Sequence, residues 1–457
     1  LFIVCWDSLG LGAASMAVGE LARVVARVMR EAWPLVVAEA TFSILNVTDM
    51  FFVSRLGAVA LAGVGAGGYV KWLLTTVLAM FYVGAMVVVS QAYGARRLDL
   101  ASKILGETIV ASLLVSLPLG VAGVLAAPFL TSFVSSNEAT AETATLYLAV
   151  LLAGLPFNAL IMVMDAAYRA VGANMGVLWG SVVAVVTNAV LDPVLIFWAG
   201  MGVAGAALAS NLGNLAGAAY MLARSRESLG FPVTLGLPRG QAYRVIRVGL
   251  PAMVERMLFA GGNYFYLGAV ARCGTAALAA HTVGIRIESF AYMPSFALQT
   301  YASSEVGQLV GSEDYTGAEK RGWEIARASA GFMVLAGLGL IASSPLAAMV
   351  FAPSWEIGKL VILYLVLAGL SEPALGLVMG ISGAIRGAGE VTVPTIINLA
   401  GLYLVRVAPS LALAGRFHGV LCPLVAWLIM ALDLYVRSIV FAYTYRRYFH
   451  KLAKKLV

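Results

Sequence analysis

Runs of about twenty apolar residues recur along the whole of this chain, among them "WLLTTVLAMFYVGAMVVVS" (72–90) and "IVASLLVSLPLGVAGVLAAPFL" (109–130). Each can cross a hydrocarbon core of roughly 30 Å as a helix. Strands of a membrane barrel would alternate polar and apolar residues instead, so the chain reads as an all-α polytopic membrane protein. Composition agrees: 61% of 457 residues are hydrophobic and 12% charged, with a mean hydropathy of +0.91, outside the range of soluble domains. The glycines suit close helix packing in lipid. The three cysteines, Cys5, Cys273 and Cys422, are too few and too scattered for a disulfide framework or a metal site, and read as packing residues. A net charge of +7 points to a basic face against anionic headgroups, with no nucleic-acid partner.

The chain also repeats itself at an offset of 217 residues. "MREAWPLVVAE" (29–39) lies over "IRVGLPAMVER" (246–256), and "GAVALAGV" (57–64) over "GTAALAAH" (274–281). Pro34 meets Pro251, Pro156 meets Pro373, and "YRAVGA" (168–173) meets "IRGAGE" (385–390). Hydropathy gives six spans per half: 32–54, 60–91, 105–130, 143–170, 175–199 and 203–223, then 245–271, 276–308, 324–350, 360–387, 391–414 and 419–444. Twelve transmembrane helices in two lobes follow, an N-lobe over 31–223 and a C-lobe over 245–445. A cytoplasmic linker is expected over 224–244, an N-terminal extension over 1–30 and a basic tail over 446–457. The opening "LFIVCWDSLGLGAASMAVGE" resembles neither a cleaved signal peptide nor a full span. Six helices per half is an even number, so the two halves enter the membrane from the same side, as a parallel repeat. Of the 30 basic residues, 21 fall on the side of the termini, which makes both termini cytoplasmic in the inner membrane.

Polar residues at membrane depth carry the functional signal. Asp49 and Asp192 each lie about six residues from the outer end of an outward-running helix, so they are level. Asn188 is one turn below Asp192 on the same face, and Ser210 and Tyr147 fall within about a turn of that depth. A lone intramembrane aspartate can be simple packing glue. Two level carboxylates beside Asn and Ser fit better with a cation-coupling site, in which a shared proton or a sodium ion held by Asp49, Asn188, Asp192 and Ser210 relieves the repulsion. The repeat supplies a control: at the same places the second half has Tyr266, Val405, Pro409 and Trp427, and only Tyr147 keeps its type, as Tyr364.

Other charges have local explanations. Asp165 and Arg169 are spaced for an i, i+4 ion pair, although Asp165, with Asn158, is also a candidate for lining a substrate cavity. Glu255 with Arg256, and Arg286 with Glu288, are expected to pair. Glu372 has no obvious partner, which leaves Glu255 and Glu372 as the weaker C-lobe candidates for coupling. His281 reads as packing. Pro34 is either the first residue of its helix or, if the helix begins near Glu20, an interior hinge. No phosphate loop, zinc spacing or nucleophile-base pair is present: "GVGAGG" (63–68) lacks the Lys-Ser/Thr of a phosphate loop. An ATP-driven machine, an intramembrane enzyme and a cofactor are therefore not expected.

Several segments together resemble the multidrug and toxic compound extrusion (MATE) transporters: "VTDMFFVSRLGAVALAGVG", "YRAVGANMGVLWGSVVAVVTNAVLDPVLIF" followed by "GVAGAALAS", "GTAALAAHTVGIRIESFAYMP", "VGQLVG" and "AIRGAGEVTVP". The resemblance spans about residues 28–445 and is strongest to the prokaryotic and archaeal branch with an acid in helix 1, which matches Asp49, Tyr147, Asn188 and Asp192; Ser210 stands where that branch often has Thr. It implies two lobes opening alternately, and export of cationic or amphipathic organic compounds in exchange for protons or sodium, by a monomer in the lipid bilayer. It also implies a bend in helix 1. A flippase of lipid-linked or amphipathic precursors is the alternative. Such proteins line their cavity with arginine, whereas most arginines here are expected at the cytoplasmic rim.

Overall fold

A computed structural model describes residues 18–133, 137–352, 354–413 and 416–457. The expected extension up to residue 17 lies outside the described residues. Among these there are no strands, and twelve helical rods follow one another: α1 (Val18–Ser54), α2 (Ala58–Gly94), α3 (Leu98–Ser132), α4 in two segments (Glu138–Ala153 and Leu155–Ala170), α5 (Asn174–Trp198), α6 (Gly202–Leu229), α7 (Gly240–Ala271), α8 (Thr275–Gly311), α9 (Tyr315–Phe351), α10 (Trp355–Gly387), α11 (Thr392–Leu413) and α12 (Leu421–Leu452). Each of the twelve spans read from hydropathy falls on one of them. α2, α3, α5, α9, α10, α11 and α12 contain stretches apolar enough to cross a membrane, as do the two segments of α4 taken together. α1, α6, α7 and α8 are less apolar along their length.

Helix ends differ from expectation in informative ways. α1 begins at Val18, so Arg23, Arg27 and Arg30 are helical and Pro34 is interior. The polar connection between lobes shrinks to residues 230–239, because α6 runs on to Leu229 and α7 starts at Gly240. That connection is tied to α3: Ser102 Oγ donates to the Pro232 carbonyl at 2.6 Å. Buried Glu107 accepts from the backbone N–H groups of Arg239, Gln241 and Ala242 at 2.9–3.1 Å. A carboxylate there satisfies the open amides and complements the dipole of α7.

The repeat is written in the backbone as well. Arg96 (φ 56°) and Glu313 (φ 65°) are the non-glycine residues with left-handed φ, and they stand 217 positions apart. Gly57 (φ 102°) and Gly274 (φ 107°) do the same at the turns before α2 and α8. One difference separates the halves: α4 bends by 53° at Gly154, where the Val150 carbonyl takes a 2.7 Å hydrogen bond from Asn211 Nδ2 of α6. α10, its counterpart, continues unbroken to Gly387.

The lobes meet at their basic ends. Glycine permits this, since a Cβ at Gly94 would lie 1.9 Å from the Gln308 carbonyl, and one at Gly249 would lie 1.8 Å from that of Met80. Gln91 of α2 donates to the carbonyls of Gly387 and Lys454, both at 3.1 Å, and accepts from the Leu456 amide at 2.8 Å. Ser304 and Gln308 of α8 donate to the end of α4, and Glu31 of α1 binds Tyr301 and Arg321. Among the described residues, hydrogen bonds between the lobes lie at this end.

The cysteines correct an expectation. Cys273, just after α7, and Cys422, in the first turn of α12, form a disulfide with Cα atoms 5.5 Å apart. Their 149-residue separation made them look unrelated, but the C-lobe brings the ends of α7 and α12 together.

Candidate ion site and inter-lobe cavity

Three helices build the polar site of the N-lobe. α1 carries Asp49 little more than a turn from its end, α5 carries Asn188 and Asp192, and α6 carries Ser210. α6 can approach α5 here because position 213 is glycine: a Cβ would lie 2.6 Å from the Ala184 carbonyl and 3.2 Å from Asn188 Cβ. Beyond Asp192 the helix widens into a π-type turn, Val194–Trp198, after Pro193 has removed a backbone donor.

Asn188 Nδ2 donates to Ser210 Oγ at 3.3 Å, and Ser210 Oγ donates to Asp49 Oδ2 at 3.4 Å. The Asp49 and Asp192 carboxyls adjoin each other. Asn188 and Asp192 are 1% and 0% exposed. Among the described residues, four buried oxygens of this site have no partner: Asp49 Oδ1, Asn188 Oδ1 and both carboxylate oxygens of Asp192. Tyr147, 7% exposed, packs beside Gly67 with Val53, Val64 and Ile196, within electrostatic reach of both aspartates. An unsatisfied buried acceptor costs about 1–3 kcal/mol. Four such oxygens on neighbouring helices suit a shared proton or a hard cation as cargo. Lys71 of α2 is half-buried on the Asp49 side of the lobe. Its position inside the apolar run "GAGGYVKWLLTT" was the available signal.

A second feature lies between the lobes, a cavity of about 260 Å³ lined by residues of α1, α2, α4, α7, α8 and α10. Asp165 lines it, whereas Asn158 does not. The expected Asp165–Arg169 pair is present at 2.7 Å, and buried Arg169 also binds Glu39 at 3.1 Å and Thr300 at 3.0 Å. Glu39, five residues beyond Pro34, escaped the sequence reading because an acid near a helix end looks like an ordinary interfacial charge.

Two expected pairs do not form. Glu255 turns to Arg386 at 2.7 Å, Thr395 at 2.8 Å and Asn398 at 2.8 Å, and leaves Arg256 without an ion pair among the described residues. Glu288 accepts from the Tyr364 hydroxyl at 2.5 Å, while Arg286 is exposed. The reason is shared: residues one or two apart on a helix point to different faces. The arginines are also not confined to the rim, since Arg169, Arg256 and Arg386 all line the cavity. Glu372 is 1% exposed, and neither of its oxygens has a partner among the described residues. His281 packs edge-on between Tyr266 and Tyr364.

Twelve helices in two like-handed lobes, with an oxygen-rich pocket inside one and a charged cavity between both, define a membrane transporter. The MatE family model matches residues 34–194 and again residues 251–411, from Pro34 and from Pro251, the offset of the internal repeat. The chain belongs to the MatE family. It is 25% identical over 408 residues to the probable multidrug resistance protein NorM of Thermotoga maritima, covering 86% of each chain. It is 29% identical over 344 residues to the multidrug resistance protein NorM of Burkholderia vietnamiensis, covering 73% of each. The fold is that of the Vibrio cholerae MATE transporter VcmN solved in its bent form, with a TM-score of 0.86, 20% identity, and 94% and 98% of the two chains covered.

Proposed function

We propose that the chain is a secondary active multidrug exporter of the cytoplasmic membrane, a monomer with both termini in the cytoplasm, which expels cationic or amphipathic organic compounds in exchange for protons or sodium. The observation that carries this reading is the set of four unpartnered buried oxygens on Asp49, Asn188 and Asp192. A proton shared between the two carboxylates, or a cation coordinated by these oxygens, is taken up from outside. Neutralising Asp49 weakens its hold on α5 and lets the outer part of α1 swing about interior Pro34, whose missing N–H weakens the helix at that turn. The contacts of Gln91, Ser304 and Glu31 between the lobes at the basic ends support an outward-facing reading.

The test is drug efflux from proteoliposomes under a pH gradient or a sodium gradient, imposed separately. A pH gradient should drive uphill export that Asp49→Asn abolishes. Export driven by sodium alone would move the cargo to sodium, and export driven by neither would reject coupled antiport. Pro34→Ala should slow export while leaving drug binding intact; unchanged rates would remove the hinge. The arginines in the cavity keep one second reading, a flippase of amphipathic precursors. It predicts scrambling of a lipid-linked substrate across vesicles without any drug efflux.

A further inference from the structure

The seam that closes the lobes at their basic ends has a two-fold plan with one addition. Gln308 of α8 donates to the Ala170 carbonyl of α4 at 2.9 Å, and its repeat mate Gln91 of α2 donates to the Gly387 carbonyl of α10 at 3.1 Å. The glycines that allow this are mates as well: a Cβ at Gly94 would lie 1.9 Å from the Gln308 carbonyl, and one at Gly311 would lie 2.1 Å from that of Gln91. The addition lies on the Gln91 side. After α12 the chain leaves the helix in extended backbone at Ala453 and runs across the seam. The Lys454 amide donates to the Ala388 carbonyl at 2.7 Å. The Lys454 carbonyl accepts from Gln91 Nε2 at 3.1 Å, and the Leu456 amide donates to Gln91 Oε1 at 2.8 Å. Gln91 is fully buried, so its amide is spent on α10 and on this segment. Lys454 and Lys455 pair with Glu390 and Glu313, and Leu456 packs with Val83 and Val87 of α2, Ala252 of α7 and Val391. A Cβ at Gly389 (φ 91°) would lie 2.5 Å from the Lys454 carbonyl, so glycine is what lets the segment sit this close. The chain after α6 takes another course, toward Ser102 of α3.

From this we infer that residues 454–457 form a catch, fixed to the C-lobe, that grips α2 of the N-lobe and holds the basic side of the molecule closed. The inference goes beyond the export reading but rests on its alternate opening of the two sides. The contacts that fix the segment, at Ala388, Glu390 and Glu313, belong to its own lobe. It is therefore ordered before Gln91 arrives, and engagement costs little further entropy. Parting the lobes strips the Gln91 amide of its bonds to Lys454 and Leu456 and uncovers the Leu456 side chain. The catch thus opposes opening on this side and favours return to the closed state. Among the described residues Gln308 meets no comparable segment, so one half of a symmetric seam is held more tightly than the other.

The test is cysteine labelling from the basic side, which is cytoplasmic in the export reading. Ser303→Cys, a buried position lining the inter-lobe cavity, is placed in a Cys5→Ser background. Its reaction with a membrane-impermeant maleimide is timed in inside-out vesicles; the disulfide of Cys273 and Cys422 keeps those two sulfurs unreactive. Deleting residues 454–457 should speed labelling about tenfold, the scale of two net hydrogen bonds. Gln91→Leu should speed it at least as much, and the deletion should then add less than about twofold on top. In a Gln308→Leu background the deletion should keep its full effect. Should the deletion lower the thermal midpoint, Leu456→Pro carries the test, since it removes only the amide donor to Gln91 and should speed labelling about threefold. Equal labelling rates with and without the segment overturn the catch and leave the export reading standing. An effect of the deletion that is the same in both glutamine backgrounds also overturns it, since the segment then acts through something other than Gln91. No labelling in any variant overturns both the catch and the opening of this side on which the export reading depends.

Discussion

Tyr147 and Tyr364 occupy the same place in the two repeats, and their surroundings teach what each lobe is for. Around Tyr147 stand Asp49, Asn188, Asp192 and Ser210, with four buried oxygens left open. Around Tyr364 stand the residues that replace them, Tyr266 and Trp427. Tyr364 meets Trp427 edge-on at 5.3 Å and His281 at 5.2 Å, and Tyr266 donates to the Ala426 carbonyl at 3.0 Å. The C-lobe has carboxylates too, but it closes most of them: Glu288 takes the Tyr364 hydroxyl, and Asp433 is clamped by Arg406 at 2.9 Å and Arg437 at 2.5 Å. Among the described residues Glu372 is left open, with Gly337 of α9 packed against it. One backbone plan thus holds an open oxygen pocket in one lobe and an aromatic plug in the other.

The most severe way to break the comparison is to write the plug into the pocket. Asp49→Tyr with Ser210→Trp should insert and fold, at a cost of about 1–3 kcal/mol for overpacking, and export should fall to the level of protein-free vesicles in an efflux assay. Next comes Gly213→Ala, whose Cβ would meet the Ala184 carbonyl at 2.6 Å. Separating α5 from α6 should cost about 1–3 kcal/mol and weaken apparent ion affinity, read from the ion dependence of efflux. At its counterpart, Met430→Leu should cost under about 1.5 kcal/mol and leave ion dependence alone. The paired tyrosines should then separate by readout. Tyr364→Phe removes the donor to buried Glu288, so a loss of about 1–3 kcal/mol in thermal stability is expected with coupling intact. Tyr147→Phe should shift ion dependence with little change in stability. The smallest effect belongs to Ser210→Ala, which deletes hydrogen bonds at 3.3 and 3.4 Å; a loss of about 0.5–1.5 kcal/mol is at most roughly a tenfold rise in the ion concentration needed.

The N-lobe pocket was legible in the chain because its signals are local and additive. Helical rise gives the depth of each residue, basic residues give its direction, and the repeat gives the control that singled out Asp49 and Asp192. What stayed hidden depends on partners far away along the chain. Glu255 finds Arg386 and Asn398 at separations of 131 and 143 residues, which no neighbouring residue announces. Arg256 loses its expected partner as a consequence. Glu39 and Glu31 look like surface acids until α4, α8 and α9 deliver Arg169, Tyr301 and Arg321 to them. Hydropathy also missed the first turns of α1, because a basic amphipathic helix and a solvated extension have similar composition.

The division of labour between the lobes can be tested with two double variants carried through one assay. Asp49→Asn with Asp192→Asn empties the pocket of charge, and Glu288→Gln with Glu372→Gln does the same to the acids beside the plug. Uphill dye efflux is measured for both in proteoliposomes under the gradient that drives the wild type, after equal thermal midpoints and equal incorporation have been verified. The account predicts background efflux from the first variant and at least half of wild-type efflux from the second. Undiminished uphill efflux by the first, or its loss only in the second, would contradict it and move the coupling site to the C-lobe.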